Sequence, residues 1–179
     1  MTAATSDAHF QSVDVGLRDG RRVTLRTVRA EDKEKLQAAL RSLSDESRYS
    51  RFMSALRELS PQMLERATRP DAERELQLVA VVGEGKEERI VGGARYAAAV
   101  GSADCVFAVA VVDEWHGLGL ARQLLEALMR AAQARGFARM EGYILATNAA
   151  MLGLAKRLGF VSVQSPEGPA VRLVRRDLG

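Results

Sequence analysis

The stretch Val109-Ala-Val-Val-Asp-Glu-Trp-His-Gly-Leu-Gly-Leu-Ala-Arg122 decides how the rest of this chain is read. An apolar strand runs through a turn holding two glycines and continues from Leu120 into a helix. In that helix Leu120, Leu124, Leu128 and Ala131 form one apolar stripe, and Gly136 is placed for a C-terminal cap. A helix N-terminus carries unpaired backbone N–H groups and a partial positive charge, and Gly117 and Gly119 remove the side chains that would keep a phosphate away from them. The plainer reading is a tight strand-to-helix turn that needs positive φ. Two familiar phosphate motifs do not fit. A dinucleotide fingerprint needs a third glycine where Arg122 stands and an acid at the end of the next strand, whereas Glu141 falls near that strand's start; a P-loop needs Gly-Lys-Ser/Thr.

Upstream, Glu75–Val82, Arg89–Ala98 and Ala103–Val112 are β-rich runs separated by Gly83-Glu84-Gly85-Lys86 and Val100-Gly101-Ser102, which predicts an antiparallel meander. Before it, Val23, Leu25 and Thr27 alternate with polar residues in a strand over Arg21–Thr27. Leu36, Ala39, Leu40 and Leu43 recur at helical spacing, and Ser60-Pro61 opens another helix. Downstream, Arg139–Ala146 reads as a strand, Ala149–Leu158 as a helix, and Phe160–Val163 with Ala170–Val174 as a hairpin. The expected fold class is α/β, one mixed and mostly antiparallel sheet flanked by helices. Residues 1–14 are expected to be a flexible tail and 15–179 a single domain.

With 179 residues, 47% hydrophobic and 27% charged, the chain has the composition of an ordinary globular domain. Its 26 basic and 23 acidic residues leave +3, spread along the chain, so neither nucleic acid nor a membrane surface is an expected partner. The lysines are only Lys33, Lys35, Lys86 and Lys156, so an anion site here is expected to use arginine. Cys105 has no internal partner, and His9 and His116 are too few for a histidine cluster, so no metal is expected. The N-terminus has no leader pattern and no segment is long and apolar enough to cross a bilayer, which fits a cytoplasmic protein, monomer or homodimer.

The segment His116-Gly117-Leu118-Gly119-Leu120-Ala121 resembles the acyl-CoA motif of the GNAT superfamily of N-acetyltransferases, Gln/Arg-x-x-Gly-x-Gly/Ala, departing at His116. Asn148-Ala-Ala-Met-Leu-Gly-Leu-Ala-Lys-Arg-Leu-Gly-Phe160 resembles the superfamily's second signature. Ser42–Phe52, Glu75–Ala80 and Asp113-Glu-Trp115 resemble the bacterial protein lysine acetyltransferase branch. The resemblance covers roughly residues 20 to 175 and implies acetyl-CoA as acyl donor. It places the pyrophosphate on the amides of Gly117 to Arg122, with His116, Leu118, Gly119, Leu120 and Ala121 around it. The pantetheine arm would lie along Ala110, Val111 and Val112, with Asn148 at its inner end. Arg48, Tyr49, Arg51 and Phe52 would form one wall of the acceptor site, and their charge disfavours a polycation and favours an anionic small amine or a protein lysine among acidic residues.

Transfer to an amine needs a neutral nucleophile, and a lysine of pKa ~10.4 costs about 4 kcal/mol to deprotonate at neutral pH. The resembling branch carries a glutamate for this within Ala-Glu-Phe-Ala-Val, where this chain reads Cys105-Val106-Phe107-Ala108-Val109. Asp104 shares Val106's strand face and is the nearest substitute carboxylate; its alternative is a solvated hairpin end. Tyr143 is the candidate to protonate the leaving thiolate, or else a packing residue. His116 is ranked as a cofactor contact rather than a base, and Cys105 as a small core residue. A CoA-binding sensor without catalysis is the rival to an acyltransferase.

Overall fold

The computed structural model describes residues 10–54 and 56–179. Its eight strands form one sheet in the order β1 (Val13–Gly16), β2 (Arg22–Thr27), β3 (Glu75–Val82), β4 (Arg89–Ala97), β5 (Asp104–Val111), β6 (Arg139–Leu145), β8 (Val171–Asp177), β7 (Val161–Gln164). Every neighbouring pair is antiparallel except β5 and β6. The expected meander is β3–β4–β5. The expected tail boundary at residue 14 falls inside β1, where Val13 and Asp14 pair with Leu25 and Thr24; residues 1–9 of that tail lie outside the described residues. β1 is only four residues long and mostly solvent-exposed, so its Val13-Asp14-Val15 alternation is too brief to mark a strand in the sequence.

Helices α1 (Lys33–Arg41), α2 (Asp45–Phe52) and α3 (Pro61–Thr68) precede β3, α4 (Leu120–Ala134) crosses from β5 to β6, and α5 (Ala149–Arg157) follows β6. Ser44 caps α2 by accepting the Ser47 N–H, and Ser60 caps α3 by accepting that of Met63, with Pro61 pre-set at the first position. α4 buries Leu120, Leu124, Leu125 and Leu128 almost completely, each stabilising the fold by about 1.5–3 kcal/mol. They pack on the sheet where a Cβ on Gly92 would stand 3.3 Å from the methyl groups of both Leu120 and Leu124, so glycine there allows α4 a close approach.

Since Gly92, Ala94 and Tyr96 face α4, the register places Phe107, Val109 and Val111 on the same side. Gly93, Arg95, Ala108 and Ala110 face α1, α2 and α3. At the edge of that second face Arg26 donates to both Asp32 oxygens, at 2.8 and 2.9 Å, and to Glu88 at 2.7 Å, while Lys35 also reaches Glu88 at 2.8 Å. Arg26 and Asp32 are buried, so this cluster locks the entry of α1 to the start of β4.

Candidate active site

The site is built where β5 and β6 part. They pair in register only from Asp104↔Arg139 to Phe107↔Gly142, although β5 runs on to Val111 and β6 to Leu145. The apex of the gap is a close approach: a Cβ on Gly142 would stand 2.2 Å from Phe107 Cε1. Beyond it, Val112 N–H donates to Val91 C=O at 2.9 Å, and the alternation of an antiparallel ladder turns Ala110 and Ala108 toward β4 as well. The N–H and C=O of Val109 and Val111 therefore face the gap. This corrects the expected pantetheine partners: of Ala110, Val111 and Val112, only Val111 presents its backbone there, and Val109 joins it.

The glycine turn closes the outer end of the gap. Gly117 (φ +75°) and Gly119 (φ +89°) both adopt the left-handed region, and nothing lies within 4 Å of a Cβ on Gly117. The amides at the start of α4 are thus approachable, and both glycines have the positive φ of the plainer reading. Leu118 turns its carbonyl to the Arg18 N–H at 3.1 Å, and Leu120 is in the core. Ala121 and Arg122 line the cavity, Arg122 also pairing with Glu126 at 2.9 Å. Arg18, on the β1–β2 turn, lies 3.7 Å from the virtual Cβ of Gly119 and reaches Gly117 C=O at 3.4 Å. Its distance in sequence hid it.

His116 Nε2 is 2.7 Å from Val111 C=O. A carbonyl only accepts, so in this contact Nε2 is the donor. Asp113 accepts from Ser44 N–H at 2.9 Å and Ser47 Oγ at 3.2 Å, fastening the start of α2 to the end of β5. Burial would raise its carboxyl, but these bonds and the His116 charge hold it below the ordinary value. Asn148 caps α5, its Oδ1 accepting the Met151 N–H at 3.2 Å, and lines the same cavity as Tyr143.

Two cavities meet at this gap. One, about 440 Å³, runs from the glycine turn between β5 and β6. The other, about 270 Å³, lies between the sheet and α1, α2 and α3. Ala108, Ala110 and Arg51 line both. Of the expected acceptor wall, Arg51 and Phe52 line the second cavity. Arg48 does not: its guanidinium is taken by Asp45 and Leu40 C=O, and Tyr49 is solvent-exposed.

Asp104 stands at the far end of β5 from the gap. Four residues of strand put it about 13 Å from Ala108, beyond the reach of one bridging water. The nearer carboxylate, missed in the sequence, is Glu141: it pairs with Val106 across the parallel ladder, on the same face. Cys105 is fully buried, and burial pushes its thiol up to about 12, as expected of a core residue. Among the described residues no cluster of His, Cys, Asp and Glu that would hold a metal is found, and no helix is long and apolar enough to cross a membrane.

A strand gap, an open glycine turn at a helix N-terminus and a second cavity at the gap's inner end are what a CoA thioester and an acceptor need. Comparison with known proteins points the same way. The acetyltransferase (GNAT) domain family matches residues 22–161. Acetyltransferase PA5475 of Pseudomonas aeruginosa is 36% identical over 165 residues, 92% of this chain and 87% of that protein. The L-methionine sulfoximine/L-methionine sulfone acetyltransferase of Pseudomonas paraeruginosa is 47% identical over 60 residues, 33% of this chain and 35% of that one. The crystal structure of the GNAT domain of S. lividans PAT superposes with a TM-score of 0.86 at 28% identity, covering 93% of this chain and 97% of that domain, and so supports the resemblance to the lysine acetyltransferase branch. With its splayed strands, glycine turn and these relatives in agreement, the chain belongs to the GNAT acetyltransferase family.

Proposed function

We propose that the protein is an acetyl-CoA-dependent N-acetyltransferase in which a primary amine attacks directly, both substrates being bound together. The observation that carries this is the meeting of the two cavities at Ala108, Ala110 and Arg51. Acetyl-CoA, when bound, supplies the activated acetyl thioester. The residues present fit it: the Gly117–Arg122 amides with Arg18 and Arg122 for the phosphates, Val109 and Val111 for the amides of the arm, and Asn148 along its path.

In the reaction the amine nitrogen bonds to the acetyl carbon, the carbon–sulfur bond breaks, one N–H proton is lost and the departing sulfur gains one. Glu141, beside Val106 on the neighbouring strand and paired with Arg175 at 3.5 Å, takes the amine proton through water. Tyr143, on the wall of the donor cavity, gives the proton to sulfur. Positioning in the gap supplies the remainder.

A second cavity of only about 270 Å³ favours a small amine. The acceptor named for the Pseudomonas paraeruginosa relative is of that kind, whereas a protein lysine is the reading that follows the branch of the S. lividans domain. The experiment is thiol release from acetyl-CoA with amines, amino acids and protein lysates, beside a CoA-induced rise in Tm. Gly119→Asp should abolish that rise while the protein stays folded. CoA stabilisation with no thiol released from any acceptor would leave the sensor reading in its place.

A further inference from the structure

The second cavity carries a charge pattern that the transfer reaction itself does not call for. Gln77, Arg95 and Ala108 lie in one row across β3, β4 and β5, on the face toward α1–α3. Arg51 reaches the same floor from α2, held there by the Asp113 bonds to Ser44 and Ser47. Among the described residues neither Arg51 nor Arg95 makes a salt bridge or a side-chain hydrogen bond, whereas the buried Arg26 is paired with Asp32 and Glu88. Burial, with Arg95 adding to it, brings the Arg51 guanidinium down to about 10, still fully charged at neutral pH. The other charges on this cavity are Arg66 and Glu75, so positive charge exceeds negative by two. The rest of the wall is apolar, with Leu36, Leu40, Phe52, Leu59 and Met63 prominent.

Two arginines sharing a small, mostly apolar cavity repel each other, and among the described residues neither forms an ion pair, an arrangement stabilised when an anion bridges them. We propose that the acceptor is a free α-amino acid with an uncharged side chain, its carboxylate bridging Arg51 and Arg95. This deepens the N-acetyltransferase reading and rests on it. Arg51 is shared by both cavities and Arg95 pairs with Ala108 at their junction. A carboxylate held there places an amine one carbon away at the inner end of the gap, where the acetyl carbon must lie. The side chain then fills the apolar part of the cavity, which at about 270 Å³ is at the small end of ligand pockets, typically about 300–1,000 Å³. An amine with its carboxylate many bonds away, or a lysine in a chain, leaves the pair without its counter-ion.

The test compares matched acceptors by thiol release: L-leucine with 3-methylbutylamine, and L-methionine with 3-(methylthio)propylamine and with L-methioninamide. Removing or neutralising the carboxylate should lower kcat/KM by at least about 10²-fold. Arg51→Met and Arg95→Met should shrink that preference to a few-fold, and Arg95→Met, which lines only the second cavity, should leave the CoA-induced rise in Tm intact, which distinguishes lost recognition from lost folding. Equal turnover of the amines and the amino acids overturns this inference and leaves the transferase reading standing, as does turnover confined to polypeptide lysines. If no acceptor is turned over, binding decides: L-leucine or L-methionine should raise the Tm of the CoA-saturated protein and fail to do so in Arg51→Met, and no rise in the unmodified protein overturns the inference.

Discussion

Gly142→Ala is the smallest change that tests how the gap is made. An alanine Cβ would sit 2.2 Å from Phe107 Cε1, 2.3 Å from Cζ and 2.9 Å from Cδ1, where carbon atoms prefer about 3.5–4.0 Å. The ring must therefore withdraw by more than about 1 Å. It has nowhere to go, since Phe107 is 6% exposed and stacks edge-on against Phe160 with centroids 5.3 Å apart. Overpacking of this kind costs about 1–3 kcal/mol. In a chain of this size each kcal/mol lowers Tm by about 2–4 °C, so a fall of about 4–8 °C is expected from the middle of that range. The assay is thermal unfolding of Gly142→Ala, Phe107→Leu and the double variant, with and without CoA. The double variant should be more stable than the sum of the two single losses allows, by about 1 kcal/mol or more, because the smaller side chain removes the clash. Unchanged Tm in Gly142→Ala, or additive losses in the double variant, would refute the claim that this contact sets the apex of the gap.

Three further outcomes follow from particular residues. Glu141→Gln should lower kcat/KM at neutral pH by about 10²-fold or more and recover as pH rises toward the acceptor's own pKa, while Asp104→Asn should leave the pH profile unchanged. For Asp32, burial raises the carboxyl, but hydrogen bonds from Arg26 and the Arg29 N–H, with the Arg26 and Lys35 charges, hold it below its ordinary 3.8. The unfolded chain then binds the proton more readily, so this contribution is complete above that value and lost as pH falls through the lower native one. Asp32→Asn should cost about 3 kcal/mol or more at neutral pH and flatten the acid limb of a urea-unfolding series, because it leaves Arg26 buried beside Glu88 alone. Cys105 should resist aromatic disulfide reagents at pH 8 in the folded protein and react fully in denaturant, since burial holds its thiol near 12.

What could be read from the sequence was local. The glycine turn, the α4 stripe and the β3–β5 meander each write their geometry into neighbouring residues, as positive-φ glycines, a 3.6-residue period or alternation between short turns. The Gly117–Ala121 reading and the assignment of Arg51 and Phe52 to an expected acceptor wall came from resemblance to family motifs, which are likewise written in neighbouring residues. The row Gln77–Arg95–Ala108 and the pair Val106–Glu141 did not, because register across strands is set by turn lengths and by the bulge between Ala80 and Val81, which no single strand records. Asp104 drew attention because it shares a face with Val106 along one strand. Glu141 is closer, by a step sideways that sequence does not show. Arg18 escaped for the same reason, since only folding brings the β1–β2 turn against Gly119.

The parallel stretch between β5 and β6 is four residue pairs long, while antiparallel ladders join all the other strands. Mechanically, the sheet is two stiff leaves, β1–β5 and β6–β8, hinged on one short seam and tied by α4. Opening or narrowing the gap is therefore borne by that four-pair ladder and by α4, along the line where the two cavities meet. Because the larger cavity is walled by both leaves, with Val109 and Val111 on one and Tyr143 and Ile144 on the other, any change in the gap alters the width of that cavity directly.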